Sequence, residues 1–325
     1  MFSSTLHNTF RLAVPWKRTF IPKLSNSHDC RSYSLYSRHN MSFTTHRDGK
    51  GTITVAPKKA TDQSALIVIT HGLGDSSEGF VDVAEHLAKL LPYAKFVLPT
   101  APTQPVTLNM GMRMASWYDI VGLDERSNED CKGIVESRRT IEDILQTEHE
   151  TKGLPYSRMI LAGFSQGGAL SLFTGLQQPI EKKLAGVVCM SAYLPSAKNF
   201  HVTPGLEDTP VLHCHGLADP MVQYTMAEKT KQELLQRGLT KYELKGYRDL
   251  QHSVNIDEIG DVTRFIMSIL PPDESCNIKL KDPSDMSVKE LKAAVKEAGL
   301  GDRAKGLVEK SEFVKLVQVH RDGKV

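Results

Sequence analysis

Gly163-Phe164-Ser165-Gln166-Gly167, preceded by Met159-Ile160-Leu161-Ala162 and followed by Gly168-Ala169-Leu170-Ser171-Leu172, is the stretch that decides the fold. An apolar, strand-like run feeds a G-x-S-x-G pentapeptide, and a helical run leaves it. That order describes a nucleophile elbow, in which the serine sits on a sharp strand-to-helix turn. Glycines at 163 and 167 remove side chains that would collide in such a turn. A helix starting at the elbow aims its N–H groups and positive dipole end at the reacting centre. Ser165 is therefore the candidate nucleophile.

Outward from the elbow, short β-branched runs alternate with longer helical patterns. The spacing predicts strands over 65–70, 95–98, 158–162, 185–190, 210–215 and 242–245, and helices over 81–91, 133–150, 167–177, 226–238 and 256–270. Strands alternating with helices imply βαβ units, hence an α/β fold with a mainly parallel central sheet flanked by helices. With the elbow in place, the expected architecture is an α/β-hydrolase catalytic domain over 50–272.

In that fold the triad follows the order Ser, acid, His, the acid after a late strand and the histidine after the last one. Asp219, in His215-Gly-Leu-Ala-Asp-Pro220, directly follows an apolar run, and His252, in Leu250-Gln-His-Ser253, precedes the final helix. A neutral His252 can take the Ser165 proton during attack and return it to the leaving group, while Asp219 holds the tautomer. His71-Gly72-Leu73-Gly74 follows the strand ending at Thr70, where this fold builds half of its oxyanion hole. The backbone N–H groups of Leu73 and Gln166 are the candidate donors, and His71 is expected to anchor the loop.

The stretch 99–117 holds few charges and includes Val106, Leu108, Met110, Met112, Met114 and Trp117. Flexible, polarizable methionines suit a wall that accommodates chains of different length. Ordinary core packing explains the same composition equally well. His213 and His215 share one strand face but have no third ligand nearby in sequence, so neither a metal nor any other cofactor is expected.

Composition narrows the remaining classes. The chain of 325 residues carries a net charge of +2, but residues 1–40 hold six Lys/Arg against Asp29 alone, a net of +5 that leaves −3 for the rest. A mildly acidic body gives no electrostatic footprint for nucleic acid. Five scattered cysteines without a CxxC pair suggest neither a disulfide framework nor a thiolate metal site. No apolar run approaches the roughly 18 residues of a membrane span. Residues 1–40 are rich in Ser and Arg and poor in acids, the composition of a mitochondrial transit peptide, with a disordered extension as the plainer reading. Met41 offers a second start that would yield a cytosolic form.

After Pro271-Pro272 a polar stretch over 273–285 reads as a linker. The rest, 286–325, reads as a helix–loop–helix in which Ser287 and Glu290 form a capping box, Gly299 stops the first helix, and a second covers 311–319.

Taken together, His71-Gly-Leu-Gly-Asp75, Pro105-Val-Thr-Leu-Asn-Met110, Ser116-Trp-Tyr-Asp-Ile120, the elbow run 163–172, His215-Gly-x-x-Asp-Pro220 and His252-Ser253 resemble the acyl-protein thioesterase and lysophospholipase-like carboxylesterases over about 60–270. The resemblance implies removal of long-chain acyl groups from S-acylated proteins, or action on lysophospholipids or small esters. It also implies Ser165, Asp219 and His252 as the triad, Leu73 and Gln166 as oxyanion donors, and Trp117 near the acyl channel; Leu108 and Met110, from the low-charge stretch, are the further candidate substrate-binding residues. One departure is Asp249, where related sequences usually have glycine. The tail looks like a SAP-like helix–loop–helix, similar to the C-terminal domain of mesencephalic astrocyte-derived neurotrophic factors. Over 283–325 it carries nine basic and seven acidic side chains, so a protein partner is expected there rather than nucleic acid. A catalytically silent binding module is the competing class, and the intact Ser, Asp and His argue against it.

Overall fold

The computed structural model describes residues 43–122 and 130–322. The leader-like segment and Met41 lie outside the described residues. The catalytic body opens with β1 (Phe43–Arg47) and β2 (Ile53–Pro57), then runs through β3 (Ala65–Thr70), α1 (Val81–Leu90), β4 (Ala94–Leu98), β5 (Thr103–Val106), β6 (Met112–Ala115) and α2 (Ile134–Lys152). It continues with β7 (Met159–Phe164), α3 (Gln166–Gly175), β8 (Gly186–Met190), β9 (Val211–Gly216), α4 (Tyr224–Gln236), β10 (Tyr242–Tyr247) and α5 (Ile256–Ile269). Two further helices, α6 (Val288–Glu297) and α7 (Lys310–Arg321), follow.

Among the described residues, eight strands form one sheet in the order β1-β2-β4-β3-β7-β8-β9-β10, with β5 and β6 as a separate hairpin. From β4 to β10 all neighbours are parallel, whereas β1 with β2 and β2 with β4 are antiparallel. The parallel strands must bury both faces, because their crossover helices cover both sides of the sheet. β3 illustrates this: Ile67 and Ile69 join a core beneath α1 and α5, while Leu66 and Val68 join a second core on the other face. The alternation follows from the two-residue period of a strand.

The antiparallel edge was not anticipated. Phe-Thr-Thr-His-Arg and Ile-Thr-Val-Ala-Pro are short and only partly apolar, and the link between them is held by Asp48, whose Oδ1 accepts from the N–H groups of Lys50 and Thr52 at 2.8 Å each. No helix among the described residues is long and apolar enough to cross a membrane.

The segment after α5 differs from a free polar linker. Ile278 is buried, its N–H donating to the Gln63 carbonyl at 2.8 Å, and the Lys279 N–H donates to Lys152 at 3.1 Å. Leu280 packs against the second core of the body. These contacts make 278–280 a strap that fixes where α6 and α7 begin. The Ser287–Glu290 capping box closes α6, and Met286, Leu291, Val295, Leu300, Phe313 and Val317 form a small core of their own.

α5 starts from Asn255, whose side chain accepts the Glu258 N–H at 2.9 Å. The Glu258 side chain is fully buried, and neither carboxyl oxygen has a hydrogen-bond partner among the described residues. Burial pushes its pKa from 4.5 up to about 8, with the nearby Asp261 charge adding to the rise. The folded state thus keeps a proton that the unfolded chain releases, so stability is full below pH 4.5 and is lost as pH rises toward 8. At about 1.4 kcal/mol per unit this amounts to roughly 3–5 kcal/mol across that window. Glu258→Met should remove that loss. Urea titrations at pH 5 and pH 8.5 should show the variant gaining on the parent as pH rises; parallel pH dependences would contradict the assignment.

Candidate active site

The elbow is built by close backbone approach. Ser165 has φ +53° and ψ −119°, a left-handed conformation that costs an L-residue free energy and persists only because its surroundings enforce it. A Cβ at Gly163 would overlap the Gly167 carbonyl, and one at Gly167 would overlap the Thr70 carbonyl. The Thr70 hydroxyl reaches the Gly167 carbonyl at 2.8 Å, and the Ser165 N–H donates to Met190 at 2.8 Å. Two neighbouring strands therefore grip the turn on which the nucleophile stands.

Residues far apart in the chain meet here. His252 Nε2 lies 2.9 Å from Ser165 Oγ, and His252 Nδ1 lies 2.7 Å from Asp219 Oδ2. The other carboxylate oxygen of Asp219 accepts from the N–H groups of Met221 at 2.8 Å and Val222 at 2.9 Å. Burial alone would raise the Asp219 pKa, but the bond and charge of His252, with those two amides, hold it below the usual carboxylate value. It stays ionised to orient Nδ1–H, leaving Nε2 free to accept the serine proton. Leu217 N–H donates to Tyr247 and Ala218 N–H to Leu250, so the acid loop and the histidine loop are bonded directly together. Phe164 packs its ring against the imidazole, with centroids 4.8 Å apart.

The oxyanion side is equally braced. His71 Nδ1 donates to the Gly72 carbonyl at 2.7 Å while Nε2 accepts the Ala101 N–H at 3.0 Å. Burial lowers the His71 pKa, which keeps the ring neutral and able to accept. The Trp117 indole N–H donates to the His71 carbonyl at 2.8 Å, and the Gly74 N–H donates to Ala115 at 2.8 Å. Neither the Leu73 nor the Gln166 amide is taken by a backbone carbonyl among the described residues. The Gln166 side chain has a separate use that the sequence did not signal: it accepts the Trp117 N–H at 2.9 Å and donates to the Tyr118 carbonyl at 2.7 Å.

The residues expected along the acyl channel occupy three different settings. Trp117 is completely buried, and its indole braces the His71 loop. Met110 is 89 % exposed in the turn between β5 and β6, with φ +55°. Leu108 is partly buried against the second core. Leu108 and Met110 lie in the turn joining β5 to β6 and Trp117 lies just after β6, so tertiary packing, not a strand period, decides which of them is covered.

His213 and His215, the pair considered for metal, bond to protein instead. The Tyr242 hydroxyl lies 2.5 Å from His213 Nδ1, His213 Nε2 lies 3.3 Å from His215 Nδ1, and His215 Nε2 donates to the Val222 carbonyl at 2.7 Å. Burial lowers both imidazole pKa values, so the file of donors and acceptors is neutral. Its end holds the turn whose amides grip Asp219.

Asp249 has φ +53°, with the Leu250 N–H bonded to the Arg248 carbonyl across it in a γ-turn. Its exposed carboxylate makes no hydrogen bond among the described residues. Asp249→Gly should relieve the left-handed strain, partly offset by unfolded-state entropy, for a net gain of about 0.5 kcal/mol. A rise in the denaturant midpoint checks it, and a fall would show the side chain to be stabilising.

A strained serine at the end of a central parallel strand, bonded to an imidazole that is itself bonded to a buried carboxylate, defines a serine hydrolase of the α/β class. Comparison with known proteins narrows this further. The chain belongs to the phospholipase/carboxylesterase family, whose model matches residues 51–270. Acyl-protein thioesterase 1 of Mycosarcoma maydis is 38% identical over 236 residues, 68% of this chain and 97% of that protein. Acyl-protein thioesterase 1 homolog 1 of Dictyostelium discoideum is 38% identical over 215 residues, 66% of this chain and 94% of its own. Among solved structures, Zea mays acyl-protein thioesterase 2 superposes with a TM-score of 0.61 at 28% identity, covering 67% of this chain and 98% of that one.

Proposed function

We propose that this protein hydrolyses long-chain acyl thioesters on protein cysteines, with Ser165, His252 and Asp219 as its triad and Leu73 and Gln166 as its oxyanion donors. The observation that carries the reading is the continuous file from Ser165 Oγ through His252 to Asp219, at 2.9 and 2.7 Å. The names of the two relatives direct it to thioesters.

Ser165 Oγ attacks the acyl carbonyl as His252 Nε2 takes its proton. The oxyanion of the tetrahedral intermediate accepts from the Leu73 and Gln166 amides, each contributing about 3–4 kcal/mol in sites of this kind. Collapse breaks the C–S bond, and the imidazolium returns the proton to the departing cysteine sulfur. Water then enters, loses a proton to His252, and releases the fatty acid, restoring Ser165.

The family's phospholipase label favours a second reading, a lysophospholipase using the same acyl-enzyme. A thiolate, with a parent pKa of about 8.5, leaves more readily than an alkoxide, so protonation by His252 matters less for thioesters. Turnover of an S-palmitoylated peptide should exceed that of a lysophospholipid in kcat/KM. The reverse ratio assigns the enzyme to lysophospholipids, and loss of neither in Ser165→Ala removes the site from both.

The proposal extends to location: the basic, acid-poor composition of residues 1–40 supports delivery to mitochondria, and Met41 a second form outside them. A reporter fused to residues 1–40 should collect in mitochondria; a diffuse cytosolic signal would refute it. Beyond the family match, the helix pair over 286–325 supports contact with a protein partner.

A further inference from the structure

The C-terminal helix pair does not simply hang from the body. The strap bonds at Ile278 and Lys279 fix one side of the junction. On the other, Gly299, with φ +69°, comes so near β1 that an added Cβ would overlap the His46 ring. Between these two fastenings lies a recess of about 390 Å³. That falls within the range of about 300–1,000 Å³ for small-molecule sites, which favour junctions between structural units.

The charge of the lining is one-sided. Lys58, Lys95, Lys152, Arg303 and Arg321 line it, with no Asp or Glu among the lining residues. Lys95 and Lys152 share one buried carboxylate, Glu148, at 2.9 and 3.5 Å, and Gln63 donates to the same group at 2.6 Å. Burial would raise the Glu148 pKa, yet the two lysines hold it down, so a fixed lysine pair sits at the recess over a single negative charge. Lys58 and Arg303 are exposed and have no carboxylate within ion-pair distance among the described residues. Leu280, Leu300 and Val317 supply an apolar wall.

We propose that this recess binds a small organic phosphate, its phosphate held by Lys58 and Arg303 beside the Lys95–Glu148–Lys152 group and its organic part set against Leu280, Leu300 and Val317. Clustered cations repel one another until an anion joins them, and guanidinium and ammonium groups form charge-assisted hydrogen bonds with phosphate oxygens. The walls come from both the body and the helix pair, so an occupant stabilises their docking by mass action. The strap at one side and the Gly299–His46 approach at the other bound the recess, which favours a compact ligand over a long polymer. The inference stands apart from the acyl chemistry, because none of the residues that line the recess belongs to the Ser165 site.

The test uses the full chain and trinitrophenyl-ATP as fluorescent probe. Saturable binding of one probe per chain is expected, displaced by ATP and undiminished when Ser165 is capped by a fluorophosphonate. Lys58→Glu with Arg303→Glu should weaken it by about tenfold or more while leaving small-ester turnover unchanged. Lys58→Gln with Arg303→Gln should weaken it less, and the melting transitions of both variants report whether they fold. No saturable signal, unchanged binding in the folded charge-reversed variant, or competition by the fluorophosphonate would overturn the proposal. So would binding confined to phosphatidate vesicles or to a single-stranded oligonucleotide, which would assign the cations to a membrane or to nucleic acid.

Discussion

Ser165→Ala is expected to lower kcat for a small ester by about 10⁵–10⁶-fold, with little change in folding stability. The alkoxide has no substitute: among the described residues no other hydroxyl is hydrogen-bonded to His252 Nε2, which meets Ser165 Oγ at 2.9 Å. The fold should survive because the backbone grip on the elbow, from Thr70 and Met190, does not use the serine side chain. Steady-state turnover and fluorophosphonate labelling check it together. Labelling that persists in a folded Ser165→Ala protein would place the nucleophile elsewhere.

Asp219→Asn should cost about 10⁴-fold in kcat while leaving KM nearly unchanged. Oδ1 must accept from the Met221 and Val222 N–H groups, so the amide oxygen of asparagine stays there and its NH₂ faces His252 Nδ1. The imidazole then carries its proton on Nε2, where it donates toward Ser165 instead of accepting. Geometry is retained but the direction of proton transfer is wrong. A loss of less than about tenfold would show that another group sets the tautomer.

Much of the fold was readable because its central strands are continuous apolar runs, as a sheet covered on both faces demands. Ala65–Thr70 has the bounds expected for it, and β7 through β10 fall within a few residues of theirs. β1 escaped because an edge strand need bury only part of its surface, and β2, though paired on both sides, is a five-residue run whose buried and half-buried residues alternate. Asp219 and His252 were legible through chain order and flanking pattern. The family resemblance puts Trp117 near an acyl channel, whereas its burial and its indole bond to the His71 carbonyl depend on contacts across 46 residues of chain that carry no local sign. The bonds of the Gln166 side chain to residues 117 and 118, and of Tyr242 to His213, span long stretches of chain and left no local sign. In sequence Asp249 stands out only as a departure from glycine; its left-handed φ belongs to a γ-turn that the sequence does not signal.

By itself the sequence determined the class of chemistry and the layered α/β arrangement, since both rest on local preferences: period, turn residues, and the small neighbours an elbow requires. Only the tertiary structure decided which apolar residues brace and which are exposed, how three histidines outside the triad are occupied, and that the helix pair closes a cationic recess against the body. Those outcomes depend on pairs of residues distant in the chain. Their interaction energies exist only after the sheet has brought them within a few ångströms, so no local pattern encodes them.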